Sequence, residues 1–307
     1  MQIASHHPFG GLEAVVTENV GLAPYTWYKL GGPARYFVRP RDLAELQLAV
    51  RRCGENGIPM YVLGRGANLL VSDGGVDGAV FYFHETPYWE ETTIDGNTVT
   101  AGCGKDLQKL LLQTARSGLA GLERMAGIPG TIGGGIRMNA GGKYGDLGSV
   151  VERVRVMDSE GVVFDRLRED LIFDYRKTNI AAPFILGATL RLEEDDPDAV
   201  AARTKEIWMY KRNTQPLNGK NCGCVFKNPR RGVGGATDTV SAGALIDESG
   251  LKGFRIGGAE VSDKHANFIV AHPGCTSADV QNLIAAVRER VADKTHIELE
   301  SEVRIWP

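Results

Sequence analysis

Two glycine-rich stretches carry the densest chemical signal in the chain. The first, Leu63-Gly-Arg-Gly-Ala-Asn-Leu-Leu-Val-Ser-Asp-Gly-Gly75, is an apolar run that enters a turn holding Gly64 and Gly66. Closely spaced glycines let main-chain N–H groups approach and point at an anion, which makes a nest for phosphate oxygens. Leu69 stands where a G-x-G-x-x-G dinucleotide fingerprint has its third glycine, and no Gly-Lys-Ser/Thr follows. Neither a Rossmann nor a Walker A loop is therefore read, and an ordinary tight turn is the alternative. The second stretch, Gly127 to Gly142, has seven glycines in sixteen residues, set among Ile128, Ile132, Ile136 and Met138. Glycine weakens regular elements, so this density among apolar residues implies bare main chain lining a bulky flat ligand rather than a flexible surface loop.

A third group is dispersed. Asp174-Tyr-Arg-Lys177, Gly223-Cys-Val-Phe-Lys-Asn-Pro229 and Leu299-Glu-Ser-Glu-Val-Arg304 each hold reactive or charged residues. Taken singly they read as surface features, since a Tyr-Arg pair and alternating carboxylates usually face solvent. Only association in space would make them a site.

Several elements must position these residues. A strand over Ala34–Pro40, a helix from the cap Asp42 to Arg52 and a strand over Pro59–Leu63 make a small α/β unit that ends in the first glycine turn. A second unit reads as strands at Thr98–Ala101, Val150–Met157, Val162–Phe164 and Phe184–Leu192, with a helix from Asp106 to Ser117 stopped by Gly118. The acidic run Glu193–Asp198 marks a boundary. Beyond it come helices at Ala199–Arg212, Ala242–Ser249 and Ser277–Lys294, a loop at Arg230–Thr239, and strands near Ala266–Ala271 and Leu299–Trp306. The expected division is 1–80, 81–195 and 196–307, an α+β chain overall.

The 307 residues exceed the size at which one core usually stops growing, in keeping with that division. A net charge of −3, with 35 basic and 38 acidic residues well mixed, argues against nucleic-acid or membrane-surface binding. No window approaches the roughly 18 consecutive apolar residues of a membrane span, and Met1–Gly11 lacks signal-peptide character, so a cytoplasmic protein is expected. Five scattered cysteines describe no disulfide framework, and reduced thiols are expected. A Cys222-x-Cys224 metal pair is disfavoured because no companion cluster lies at ligand spacing.

The order and spacing of Gly64–Gly75, Gly127–Gly145, Tyr175-Arg176, Gly223–Pro229, Ser241–Gly253 and Glu302–Arg304 closely resemble the UDP-N-acetylenolpyruvoylglucosamine reductase family, over nearly the whole chain from Thr26 to Ile305. The resemblance implies two N-terminal parts that enclose FAD, in the manner of the vanillyl-alcohol oxidase type, and an α+β substrate-binding part. It implies that Gly64, Gly66, Ala67, Asn68 and Leu69 cradle the FAD pyrophosphate, with Pro129, Gly130, Thr131, Gly133, Asn139 and Gly141 along the cofactor. The implied reaction takes hydride from NADPH to FAD and then, after the nicotinamide leaves the same cleft, from flavin N5 to the enolpyruvyl β-carbon of the UDP-sugar. Arg176 falls on the family's substrate-carboxylate arginine, and a planar, permanently charged fork suits that group. Arg176 and Glu302 would stabilise charge developing at the α-carbon and its carboxylate. Asn228 matches a substrate-contacting position. A monomer is expected.

Two departures stand out. The commonest proton donor in the family is a serine where this chain has Cys224. A thiol, with an ordinary pKa of about 8.5, is the stronger acid and can protonate an enolate while it holds its proton; Cys224 is kept as donor, with mere packing as the alternative. Few residues separate Leu192 from the next helix, so the chain looks like the shorter type without a tyrosine-bearing substrate loop. An oxygen-using flavin oxidase on the same fold is the rival enzyme class, because cofactor loops alone do not specify the acceptor. A non-catalytic nucleotide binder is the other.

Overall fold

Asp42 and Asp106 start two helices by the same device. Each carboxylate accepts from the main-chain N–H three residues on, Glu45 at 2.9 Å and Lys109 at 2.8 Å, and so satisfies a donor that the first turn leaves orphaned. The helix Leu43–Glu55 buries Leu46, Ala49, Val50 and Cys53, a spacing that places them on one face. It runs one turn past the expected Arg52. The helix Leu107–Arg116 buries Leu107, Leu110, Leu111 and Ala115, and the chain turns away at Gly118, whose φ of +68° suits glycine.

The computed structural model describes residues 7–233 and 236–307, and of 230–239 only the backbone at 230–233 and 236–239. The first six residues of the expected N-terminal reading, and Gly234-Gly235 of the insert, lie outside the described residues. The chain falls into two compact units: residues 1–20, 34–65 and 77–209, and residues 21–33, 66–76 and 210–307.

The first unit holds two larger sheets among the described residues. One has the order Val16–Gly21, Pro33–Val38, Val76–Tyr82, Met60–Leu63, with the last two strands parallel. The other is antiparallel, ordered Val163–Leu167, Val151–Met157, Phe184–Arg191, Thr98–Gly102, Thr92–Asp95. Its central strand is apolar and buried from Phe184 to Leu190 because both its faces are covered. Phe184 and Leu186 join a core with Phe81, Phe83 and Trp89, while Ile185, Ala188 and Leu190 join one with Leu107, Leu110, Ile132 and Ile136. Each fully buried Leu or Phe there contributes about 1.5–3 kcal/mol.

In the second unit Leu245, Ile246, Val261, Val280, Leu283 and Val287 pack with Tyr28, Leu70, Val225 and Phe226. The long helix Ser277–Thr295 begins with a capping box of Thr276 and Asp279, and Asp73 accepts from Ser277 N at 2.9 Å and Ala278 N at 3.1 Å. Leu69–Val71 pairs in parallel with Arg304–Trp306, which draws residues just after the first glycine turn into this unit. The expected strand Leu299–Trp306 is shorter than its apolar pattern suggested. Only its last three residues form a ladder, and Ser301 makes a single bridge to Phe226. The expected loop Arg230–Thr239 is a hairpin, with Arg230 opposite Thr239 and Val233 opposite Ala236. Among the described residues no helix is long and apolar enough to cross a membrane.

Candidate functional site

In the first unit the second glycine stretch is mostly half-buried, with Thr131, Ile132, Gly135, Ile136, Asn139 and Gly141 buried. Thr131 caps the short helix Ile132–Arg137 by accepting from Gly134 N at 3.3 Å, and is itself buried. Three consecutive glycines disfavour a helix, yet here one packs too closely to carry a side chain. A Cβ on Gly135 would come 2.9 Å from Leu147. Gly130, with φ +142°, accepts from Leu107 N through its carbonyl at 3.1 Å, and Pro129 precedes it, partly exposed. The capping carboxylate of Asp106 also pairs with Arg65, one residue after Gly64.

Gly64, Thr131 and Gly133 line one cavity, together with Val62, Leu63, Phe83, His84, Cys103, Gly104, Gly134, Arg137, Pro183 and Ile185. About 490 Å³ of non-atom space lies within it, part of it open solvent. A Cβ at Gly64 would lie 2.7 Å from Thr131 Oγ1, and one at Gly133 would lie 3.0 Å from Cys103 Cβ. Bare main chain is therefore obligatory at both, and it leaves an apolar slot edged by Thr131 and backbone, a fit for a flat nucleotide cofactor. Burial pushes the Cys103 thiol far up, so it presents a neutral, protonated wall.

Asn139 and Gly141 serve the same unit differently. Asn139 is buried with φ +40°; its amide donates to the Asp174 carbonyl at 3.0 Å and accepts from Gly148 N at 2.9 Å. It ties the glycine stretch to the hairpin that carries Arg176. Gly141 accepts from Arg176 Nη2 at 2.8 Å, and a Cβ on it would strike Gly145 O at 2.6 Å. Arg176 sits at the hairpin tip between Phe173-Asp174 and Lys177-Thr178, in the left-handed region at φ +56° and with its guanidinium 5.1 Å from the Tyr175 ring centre. A non-glycine residue there costs of order 1 kcal/mol.

The second unit holds the remaining residues. Gly66, at φ +60°, lies so near Tyr25 that a Cβ would be 2.4 Å from its carbonyl. Ala67 follows, and Asn68 donates to the Glu302 carbonyl at 3.1 Å, while buried Leu69 pairs with Arg304. Glu302 N donates to Val225 O at 2.7 Å, and Lys227 N to Glu300 O at 2.8 Å. Cys224 and Glu302, remote in sequence, thus share one piece of paired backbone. Asn267 holds its other side, accepting from Phe226 N at 2.9 Å and donating to Phe226 O at 2.8 Å. Cys224 follows Gly223 at φ +84° and is partly exposed, whereas burial pushes the neighbouring Cys222 thiol up to about 12. Asn228 Oδ1 accepts from Ala242 N at 3.0 Å, at the start of the helix Ala242–Glu248. Among the described residues no cluster of three His, Cys, Asp or Glu could hold a metal.

Structure thus brings Gly64, Thr131 and Gly133 together and separately links Asn139, Gly141 and Arg176 in the first unit, and it ties the segments of Cys224, Glu302 and Asn68 in the second. Sequence reasoning missed His84 on the cavity wall and the Asn68 grip on Glu302. A histidine ending an apolar strand carries no motif, and an asparagine in a glycine turn reads as turn chemistry.

Residues 215–306 match the C-terminal domain of UDP-N-acetylenolpyruvoylglucosamine reductase, and residues 34–165 match an FAD binding domain. The UDP-N-acetylenolpyruvoylglucosamine reductase of Moorella thermoacetica is 40% identical over 297 residues, covering 96% of this chain and 95% of that protein. That of Heliobacterium modesticaldum is 41% identical over 286 residues, covering 92% and 88%. The crystal structure of the Thermus caldophilus enzyme superposes with a TM-score of 0.79 at 35% identity, covering 94% of this chain and 98% of that one. With its glycine cavity and the bridge that sets Phe226 opposite Ser301, the chain belongs to the UDP-N-acetylenolpyruvoylglucosamine reductase family.

Proposed function

We propose that this protein reduces UDP-N-acetylglucosamine enolpyruvate to UDP-N-acetylmuramate, with FAD as cofactor and NADPH as reductant, as a cytoplasmic monomer making peptidoglycan precursor. The observation that carries the reading is the backbone bond from Glu302 N to Val225 O at 2.7 Å, which ties the segment of Glu302 to the residue after Cys224 in a chain whose relatives are named for this substrate.

Gly64, Thr131, Gly133 and the backbone around Gly130 would hold FAD, and the Gly66–Leu69 turn would meet its pyrophosphate. The chemistry FAD supplies when bound is two-electron transfer, hydride in from NADPH and hydride out to the enolpyruvyl β-carbon. Arg176 would pair with the substrate carboxylate through its fork, and Asn228 would offer a polar contact to the sugar nucleotide. As charge builds at the α-carbon and its carboxylate, Arg176 and Glu302 would stabilise it. Cys224 would deliver the final proton, its S–H bond breaking as the α-carbon C–H bond forms, and water would return a proton to the thiolate afterwards. In functional terms the division is 1–80 and 81–195 for the cofactor and 196–307 for the substrate.

The test is a two-step rapid-mixing experiment. The yellow protein should bleach with NADPH under anaerobic conditions and recover its colour with UDP-N-acetylglucosamine enolpyruvate. Reoxidation by oxygen with peroxide release, and none by the sugar nucleotide, would select the oxidase class instead.

A further inference from the structure

Phe226 is buried and stands opposite Ser301 in a single antiparallel bridge. The bonds of that bridge belong to its neighbours: Glu302 N donates to Val225 O at 2.7 Å, and Lys227 N to Glu300 O at 2.8 Å. In an antiparallel pair of this kind the N–H and C=O of the middle residue point away from the partner segment. Both main-chain groups of Phe226 therefore need partners on the other side, in a buried place.

Asn267 supplies both. Its Oδ1 accepts from Phe226 N at 2.9 Å and its Nδ2 donates to Phe226 O at 2.8 Å, so one side-chain amide stands in for the peptide of a neighbouring strand. Asn267 is itself buried, and its carbonyl accepts from Val225 N at 2.9 Å. Its own segment is held in turn. Asn267 N donates to His265 Nδ1 at 3.2 Å, Phe268 N to His265 O at 3.0 Å and Ser262 N to Phe268 O at 2.8 Å. The strand Ile269–Ala271 that follows is paired with Ala259–Val261.

A second asparagine grips the other flank of Cys224. Asn221, also buried, accepts from Gly223 N at 3.0 Å and donates to Pro216 O at 2.9 Å and Gly219 O at 2.8 Å. The main chain is thereby fixed one residue before Cys224 and at both residues after it. Val225, bonded to Asn267 O, is also the residue bonded to Glu302 N. The bonds along Val225 run main chain to main chain and persist on substitution, whereas those at Phe226 depend on one side chain.

We propose that Asn267 is a positioning residue for the final proton transfer, acting through Phe226 on the segment that carries Cys224; the role rests on Cys224 as the donor. The Phe226 peptide presents one donor and one acceptor, and a side chain that meets only one of them leaves a buried polar group unsatisfied.

The test follows product formation after reduced, FAD-loaded enzyme is mixed with the UDP-sugar, alongside flavin reduction by NADPH. Asn267→Ala should slow product formation by about 10- to 100-fold, the scale of a misplaced reacting group, and leave flavin reduction unchanged. Asn267→Asp keeps the shape of the side chain. As a carboxylate it can accept from Phe226 N but cannot donate to Phe226 O, and as a neutral acid it can do both. Burial raises the pKa of such a carboxyl, so its rate relative to the parent chain should be about tenfold down at about pH 8 and recover toward about pH 6. Taking the ratio removes what both proteins share, the titration of His265 beside Asn267 and of Cys222, Cys224, Lys227, Glu300 and Glu302 on the facing segments. Unchanged product formation in Asn267→Ala, equal losses in both half-reactions, or a ratio flat with pH would overturn the proposal, the last two because they describe a residue that merely holds the fold. If Asn267→Ala does not fold, the Asn267→Asp ratio decides alone. Parent-like product formation in Cys224→Ala would overturn the donor reading itself, a separate result.

Discussion

Asn68 and Glu302 are clamped to each other: the Asn68 amide donates to the Glu302 carbonyl at 3.1 Å, and two residues on Arg304 N returns a bond to the Asn68 carbonyl at 3.1 Å. With Glu302 N held by Val225 O at 2.7 Å, the backbone on both sides of this carboxyl residue is fixed. A residue expected to meet the cofactor pyrophosphate therefore also sets the place of one expected to act on the substrate. Asn68→Ala should cost about 1 kcal/mol of stability and slow reoxidation by the UDP-sugar by about tenfold. Stopped-flow traces of the two half-reactions check this, and a normal sugar step would dissociate Asn68 from Glu302 function.

Cys224 differs from its buried neighbour Cys222 in exposure, which leaves it the thiol available for proton delivery. Cys224→Ser should keep turnover. Cys224→Ala should lose product protonation by about 10²- to 10⁴-fold, the usual contribution of a positioned acid, with flavin reduction by NADPH intact. Single-turnover kinetics with each reductant and acceptor separate the two steps. Equal losses in both would remove Cys224 from the role.

Arg176 occupies a left-handed position that glycine fills without strain. Arg176→Gly relieves that strain and gives up the guanidinium's contacts, among them those to Gly141 O and the Tyr175 ring, so the changes in melting temperature should partly offset. Activity should nonetheless fall by about 10² or more, and Arg176→Lys should restore only a small part, since an ammonium lacks the planar fork. The informative result is the combination, a folded protein that cannot use the sugar.

Gly64 and Thr131 share a space too small for a methyl group. Gly64→Ala puts Cβ 2.7 Å from Thr131 Oγ1, a stiff side chain that is also a helix cap. A loss of about 1–3 kcal/mol is expected, with weaker FAD binding. Thr131→Ala in the same chain should recover part of it, so a double-mutant cycle on denaturant midpoints should show coupling. Additive losses would mean that the two positions do not meet.

Local chemistry was the legible part of this chain. Asp42, Asp106 and Gly118 announce their helix ends because capping acts within three or four residues, and the strands at Met60, Thr98 and Phe184 follow from short apolar runs. What escaped is what depends on long-range pairing. Nothing near Leu69 reveals that its ladder partner is Arg304, and the shortened C-terminal strand reflects a bridge between Ser301 and Phe226 rather than any property of residues 299–303. The glycine triplet Gly133–Gly135 is helical against its propensity because Cys103 and Leu147 crowd it. His84 escaped for the same reason: its contacts, Gly104 O at 3.0 Å and Glu90 Oε1 at 2.7 Å, come only with the folded turn.

His265 gives the second unit a predictable response to acid. Its ring stacks edge-on against Phe268 with centroids 4.9 Å apart, and its Nδ1 accepts from Asn267 N at 3.2 Å, which requires an unprotonated nitrogen. Burial, with a smaller push from Lys252, holds its pKa below the ordinary value of 6.5. The folded state therefore binds less proton than the unfolded chain through that interval, and stability rises with pH there. The contribution is complete above the unfolded-state pKa near 6.5 and is lost as pH falls through the lowered folded-state value. Asn267 also anchors Phe226, two residues from Cys224, so protonation of His265 should loosen that segment before the whole protein unfolds. Urea titrations from pH 7.5 to 5 should show a declining midpoint for the parent chain and a flatter one for His265→Gln, whose side-chain amide does not titrate. Parallel curves would assign the acid sensitivity to carboxylates elsewhere.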